Sequence, residues 1–169
     1  MTSRVEFGRR EWCGMASEWD WEGGEGLLGM DDPAEWDAAC ERGENHLGTA
    51  AIGLAYNCSL EEAAPRIVRA MQFSDSEQRR YAFTAAGAAA RVNRNLTPQL
   101  YAALRDEGPK GLAAHAIADT LYAVPFRRLP PWFKWRKVRS KARNKLESWW
   151  LRSGEAVGDA WRSLRGRRS

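Results

Sequence analysis

With 169 residues, 44% hydrophobic and 28% charged, the chain has apolar material for one packed domain and falls outside the globally disordered class. Its net charge of +4 conceals a strong polarity, 12 Lys/Arg against 19 Asp/Glu in residues 1–125 and 14 against 3 in residues 126–169, which suggests an interaction tail or an internal electrostatic match. It carries no leader-like apolar run, no membrane-length stretch and no disulfide spacing among Cys13, Cys40 and Cys58, so the expected setting is the cytoplasm, with peripheral attachment at a membrane as the extension.

Residues 1–44 form an acidic segment rich in Gly and Trp, with no sustained period before Asp32. Gly23-Gly24-Glu25-Gly26 reads as a flexible acidic linker. Asp32-Pro33-Ala34-Glu35 then supplies an N-cap, a first-turn proline and an acidic first turn, which predicts a helix over 33–42. Residues 45–125 are written in helical code. A helix is expected over 46–57. Over 60–71, Leu60, Ala63, Ala64, Ile67, Val68, Ala70 and Met71 share one face, opposite Glu61, Glu62, Arg66 and Arg69, with Ser59 and Glu62 at capping-box spacing. Pro65 on the polar side implies a kink or a late start. Asp75 or Ser74 opens a helix to about Val92 that faces inward with Tyr81, Ala82, Ala85, Ala86, Ala89 and Val92. Its run of alanines suits close approach between helices. Thr97-Pro98 opens a helix to about Arg105, and Pro109 opens another to Ala123, with Ala113, Ala116, Ile117, Leu121 and Val124 inward. No stretch alternates as a strand does.

Residues 126–169 start with the breaker Leu129-Pro130-Pro131 and continue as a basic amphipathic helix. Trp132, Trp135, Val138, Ala142, Leu146, Trp149 and Trp150 fall on one arc. Lys134, Arg136, Lys137, Lys141, Arg143 and Lys145 cover the rest, and Arg139 intrudes on the arc. Gly154 ends this helix. A shorter amphipathic stretch (Val157, Ala160, Trp161, Leu164) precedes a polar end expected to be disordered.

Two helix–turn–helix units of about 33–35 residues emerge when the Pro65 segment is set against the Pro98 segment. Within the first, Pro65 opens a helix, Asp75 stands in the turn, Glu77, Arg79 and Arg80 start the second helix, and Gly87 sits in its middle among alanines. This unit resembles a HEAT repeat. Together with Gly48-Thr49-Ala50-Ala51-Ile52-Gly53-Leu54-Ala55-Tyr56-Asn57, residues 47–105 look like small actinobacterial HEAT-like proteins. The resemblance implies an all-α, short HEAT-like stack of helical hairpins, an α-solenoid fragment offering a surface to a partner, with the Trp-rich ends as its caps.

Residues with chemical potential are few. His115 and Asp119 lie at i, i+4 on an outer face and read as a solvated pair rather than an acid–base pair. Cys40, His46 and Cys58 match no zinc spacing and lack a fourth ligand, so no metal or other cofactor is expected. The chain lacks a phosphate loop and a nucleophile elbow. The expectation is therefore a non-catalytic binding module of immunity or antitoxin type, whose acidic body steers towards a cationic protein such as a basic toxin. The residues expected to meet it are Trp19, Asp20, Trp21, Glu22, Glu61 and Glu62. The alternative is a peripheral membrane or nucleic-acid adaptor acting through Trp132, Lys134, Trp135, Arg136, Lys137, Arg139, Lys141 and Arg143. A third reading makes that same helix a structural cap.

Overall fold

A computed structural model describes residues 19–142, which are all-helical. Six α-helices follow the helical code in order: α1 Pro33–Arg42, α2 Leu47–Asn57, α3 Leu60–Ala70, α4 Ser76–Asn93, α5 Pro98–Glu107 and α6 Ala114–Ala123. A seventh, α7, is helical over 131–142. Local chemistry sets most boundaries. Asp32 accepts from the amides of Ala34 and Glu35, and Gly43 ends α1 in the left-handed region at φ 73°. Ser59 and Glu62 form a complete capping box on α3. Asp75 and Thr97 cap α4 and α5. Pro65 lies inside an uninterrupted α3 with its ring exposed, so the helix begins five residues before it.

The odd helices α1, α3 and α5 touch in succession, as do the even helices α2, α4 and α6, which gives two layers. The even row is the tighter one because its contact faces are made of small residues: Ala50, Ala51 and Ala55 of α2 meet the alanine run of α4, all buried. A Cβ on Gly48 would overlap the backbone carbonyl oxygen of Gln78. The same approach lets the Gln78 side chain accept from Gly48 N at 2.7 Å. That bond supplies a first-turn amide of α2, whose N-cap residue His46 makes no side-chain cap.

One core spans the described residues, from Trp21, Leu27, Met30 and Trp36 through α2–α6 to Leu129 and Phe133. The described parts of the three compositional segments, 19–44, 45–125 and 126–142, all contribute to it. Trp36 is wholly buried, stacks on Phe73 at 6.5 Å and donates from Nε1 to Leu47 O at 3.1 Å. Arg66, expected on an outer face, crosses instead to α1. Its Nε donates to Pro33 O at 2.9 Å and its guanidinium pairs with Asp37.

Other expectations also need correction. The stretch Gly23–Gly26 is a folded turn rather than a linker: Asp20 Oδ1 accepts from Gly23 N at 2.7 Å, and Gly24 and Gly26 take positive φ. The sixth helix starts at Ala114, five residues after Pro109, because Glu107 Oε1 captures the Leu112 amide at 3.2 Å and Gly111 lies in the resulting turn. Val92 of α4 is half exposed, since the inward face is already filled by Ala82, Ala85, Ala86, Ala89 and Ala90.

Candidate functional site

The local chemistry of α2 and the preceding turn creates the acidic face. Gly53 leaves room for the 3₁₀ turn Leu27–Gly29 to lie against the helix, and a Cβ there would overlap Leu27 O. Asn57, one helical turn on, donates from Nδ2 to Leu28 O and Met30 O, both at 3.2 Å. Leu27 and Met30 are thereby driven into the core, and Leu28 is turned outward, 58% exposed. Tyr56, beside Asn57 in α2, is 50% exposed.

The stretch of chain that carries Leu28 and Tyr56 is acidic. Residues 19–62 hold eleven Asp/Glu and one Arg, whereas residues 63–142 hold five and fifteen. Nine carboxylates have no ion-pair partner among the described residues, and eight of these lie in 19–62. At the α2–α3 junction they close on Cys58, whose thiol donates to Asp31 O at 3.4 Å. Burial, then the nearby charges of Glu62 and Asp31, pushes the Cys58 thiol up from its ordinary value, which keeps it a neutral thiol at physiological pH. Glu62 is held below the usual carboxylate range by hydrogen bonds from the Ser59 hydroxyl and amide, so its negative charge persists into acid.

The residues expected to meet a partner divide. Asp20, Glu22, Glu61 and Glu62 are exposed. Trp21 is buried in the core, so its indole is not offered to a partner, and Trp19 is half buried against the same core. The exposed large apolar side chains of this stretch are instead Tyr56 and Leu28. Sequence periodicity gave no signal for Leu28, because it lies in a turn. Tyr56 carried one: it falls off the Ala50–Ala51–Leu54–Ala55 stripe of its own helix.

The basic face belongs to α7 and its approach. Phe133, absent from the expected tryptophan arc, is the anchor: it is buried, edge-on to Tyr101 at 5.2 Å and to Trp132 at 4.8 Å. Trp132 is half buried, whereas Trp135 is 57% exposed and Val138 also points largely to solvent. The arc therefore does not pack as a whole: Phe133 and Trp132 hold the helix, while Trp135 and Val138 face outward. Arg136 and Arg139 lie over the rings of Trp132 and Trp135, at 5.2 and 5.1 Å. Lys134 lies 5.9 Å from the Phe126 ring. Lys137 donates to Val124 O at 3.2 Å, and burial lowers its affinity for a proton. Lys141 is exposed. Arg143, Lys145, Leu146, Trp149, Trp150, Gly154, Val157, Ala160, Trp161 and Leu164 lie outside the described residues, as does Cys13.

The remaining constellations stay apart. His115 is exposed, while Asp119 turns over Gly87 towards Arg91 at 3.8 Å. Nε2 of His46 lies 3.1 Å from Glu22 O. Among the described residues no three His, Cys, Asp or Glu side chains gather as a metal set, and no helix is long and apolar enough to cross a membrane. No family model, curated protein or solved structure matches the chain.

Proposed function

We propose that this protein is a non-catalytic binding module, HEAT-like in organisation, whose first helical hairpin receives a cationic protein. The observation that carries this reading is that residues 19–62 hold eight carboxylates with no ion-pair partner among the described residues, together with two exposed large apolar side chains, Leu28 and Tyr56. An apolar centre with a charged rim is the anatomy of a transient protein interface, and a field of one sign accelerates encounter with a partner of the other. The succession of odd on odd and even on even helices supports the HEAT-like part of the proposal. Within it, the finer role is that of an immunity or antitoxin protein occluding a basic toxin.

The test is complex formation between the full chain and the product of the neighbouring gene, measured across a salt series. We expect a nanomolar complex that weakens as salt rises, and at least about a tenfold loss of affinity in Tyr56→Ala, as for an aromatic hot spot. Glu22→Lys and Glu61→Lys should slow association. An affinity indifferent to salt and to all three substitutions would overturn the assignment of this face.

A second reading has its own observation. Tyr122, at 89% exposure, and Trp135, which lies under Arg139, are exposed aromatic side chains in a stretch that also exposes Arg127 and Lys141. That combination suits an anionic surface. Co-flotation with anionic vesicles that is absent with neutral ones would favour it over the first.

A further inference from the structure

The cleft between the α5–α6 connection and α7 is lined by Pro109, Lys110, Trp135, Arg136, Arg139 and Ser140, and encloses about 590 Å³. Its two walls come from different parts of the sequence. Gly108 and Pro109 redirect the chain out of α5, at a φ of 84° that only glycine adopts without strain, and so present Lys110. Across from it, residues 135, 136, 139 and 140 are neighbours on one face of α7 by the i, i+4 rule, with the helix fixed by Phe133.

Three formal positive charges meet in this cleft, and among the described residues no carboxylate lines it. Like charges gathered on both sides of one concavity repel, which favours a ligand that neutralises them. The two guanidiniums are also held: each lies over an indole four residues earlier, which restrains its plane and leaves its edge donors directed sideways. Arg136 Nε is buried and has no acceptor among the described residues. A buried donor in that state carries a free-energy cost of about 1–3 kcal/mol. The Ser140 hydroxyl, already donating to Lys137 O at 3.1 Å, keeps lone pairs only, so the donors available here are cationic.

We propose that this cleft binds a phosphate group. Planar guanidinium forks and an ammonium point charge converging on one volume are the donor set for a tetrahedral oxyanion. The volume lies within the range of small-ligand sites and exceeds what a bare phosphate fills. The remainder of the ligand therefore lies against the exposed Trp135 ring. A soluble organic phosphate and a phospholipid headgroup share this chemistry. The site does not depend on the acidic face and stands or falls separately from the cationic-partner reading.

The test uses the full chain with two probes: phenyl phosphate, and vesicles of phosphatidylglycerol in phosphatidylcholine. The double variant K110Q/R139Q alters the cleft. R80Q/R94Q removes the same charge from exposed positions of α4 and its C-cap, outside the cleft lining. Arg136 is left in place so that its guanidinium Nε–H signal reports on the ligand. We expect that signal to shift with phenyl phosphate, and affinity to fall about tenfold or more in K110Q/R139Q but less than about twofold in R80Q/R94Q. Vesicle binding with the same variant pattern identifies the headgroup as the source. Phenyl phosphate binding without vesicle binding identifies a soluble phosphate. No shift of the Arg136 signal up to about 10 mM phenyl phosphate, weaker than any affinity a built site provides, would overturn the proposal. Equal weakening in the two double variants would overturn it too.

Discussion

The glycines of the even-helix row answer to different neighbours, and their substitutions separate accordingly. At Gly53 the obstacle is the carbonyl of Leu27, which is itself held by the turn that seats Leu27 and Met30. Gly53→Ala should therefore cost about 1–3 kcal/mol in a denaturant titration, the usual range for overpacking against something that cannot yield. At Gly87 the nearest atom is Asp119 Oδ2, 2.8 Å from a Cβ and free to swing on a side chain, with Ala116 Cα next at 3.3 Å. Gly87→Ala should stay within about 1 kcal/mol of the parent, the overlap being offset by the gain in helix propensity. If both alanines cost the same, backbone rigidity is not what sets the penalty. Ser59 makes a second prediction at this scale. Loss of an N-cap hydroxyl is expected to cost about 1 kcal/mol. Ser59 also holds Glu62 below its ordinary range, so the stabilisation tied to that carboxylate is present above the unfolded value and fades as pH falls through the lower folded one. The gap between parent and Ser59→Ala midpoints should be full at neutral pH and narrow in acid.

Among the elements, α7 shows what a helical wheel omits. The wheel places Trp132, Trp135 and Val138 on one arc and ranks them alike. Phe133, edge-on to Tyr101, is buried against the body of the protein, whereas Trp135 and Val138 are more than half exposed. Phe133→Ala should destabilise by about 3–5 kcal/mol, while Trp135→Ala should move the unfolding midpoint by no more than the equivalent of about 0.5 kcal/mol. Matching losses in the two variants would mean that α7 is bound along its whole described length. The starts of α1, α3, α4 and α5 were legible because their signals are covalently local: a cap residue, a proline or an acidic first turn. The start of α6 was not, because the group that ends the preceding turn is a carboxylate four residues before Gly111 and its role depends on the three-dimensional path of the loop. The exposure of Leu28 was hidden for the same reason. It follows from Gly53 and Asn57, which lie more than twenty residues downstream.

For the whole molecule, the sequence announced a charge polarity but placed its change of sign at residue 125. Among the described residues the balance changes near residue 62, between the first helical hairpin and the rest. The earlier boundary matters for function, because it confines the acidic face to α1, α2, their leading turn and the first residues of α3. What the count along the chain does not show is that Arg66 reaches back across α3 to pair with Asp37 of α1. The close packing of α2 on α4 has a consequence for folding. The two helices are joined through one short intervening helix, so their contact closes only a modest loop, and the methyl-sized side chains along it lose almost no rotamer entropy on docking. Assembly should therefore nucleate there, with the leading turn and α7 added to a formed pair. Native-state hydrogen exchange should find the slowest amides in α2 and α4 and earlier opening in residues 19–30 and 131–142. Leu28 of the acidic face and the α7 wall of the cleft would then sit on the parts that open first, while Tyr56 stays on the alanine-lined pair that remains closed.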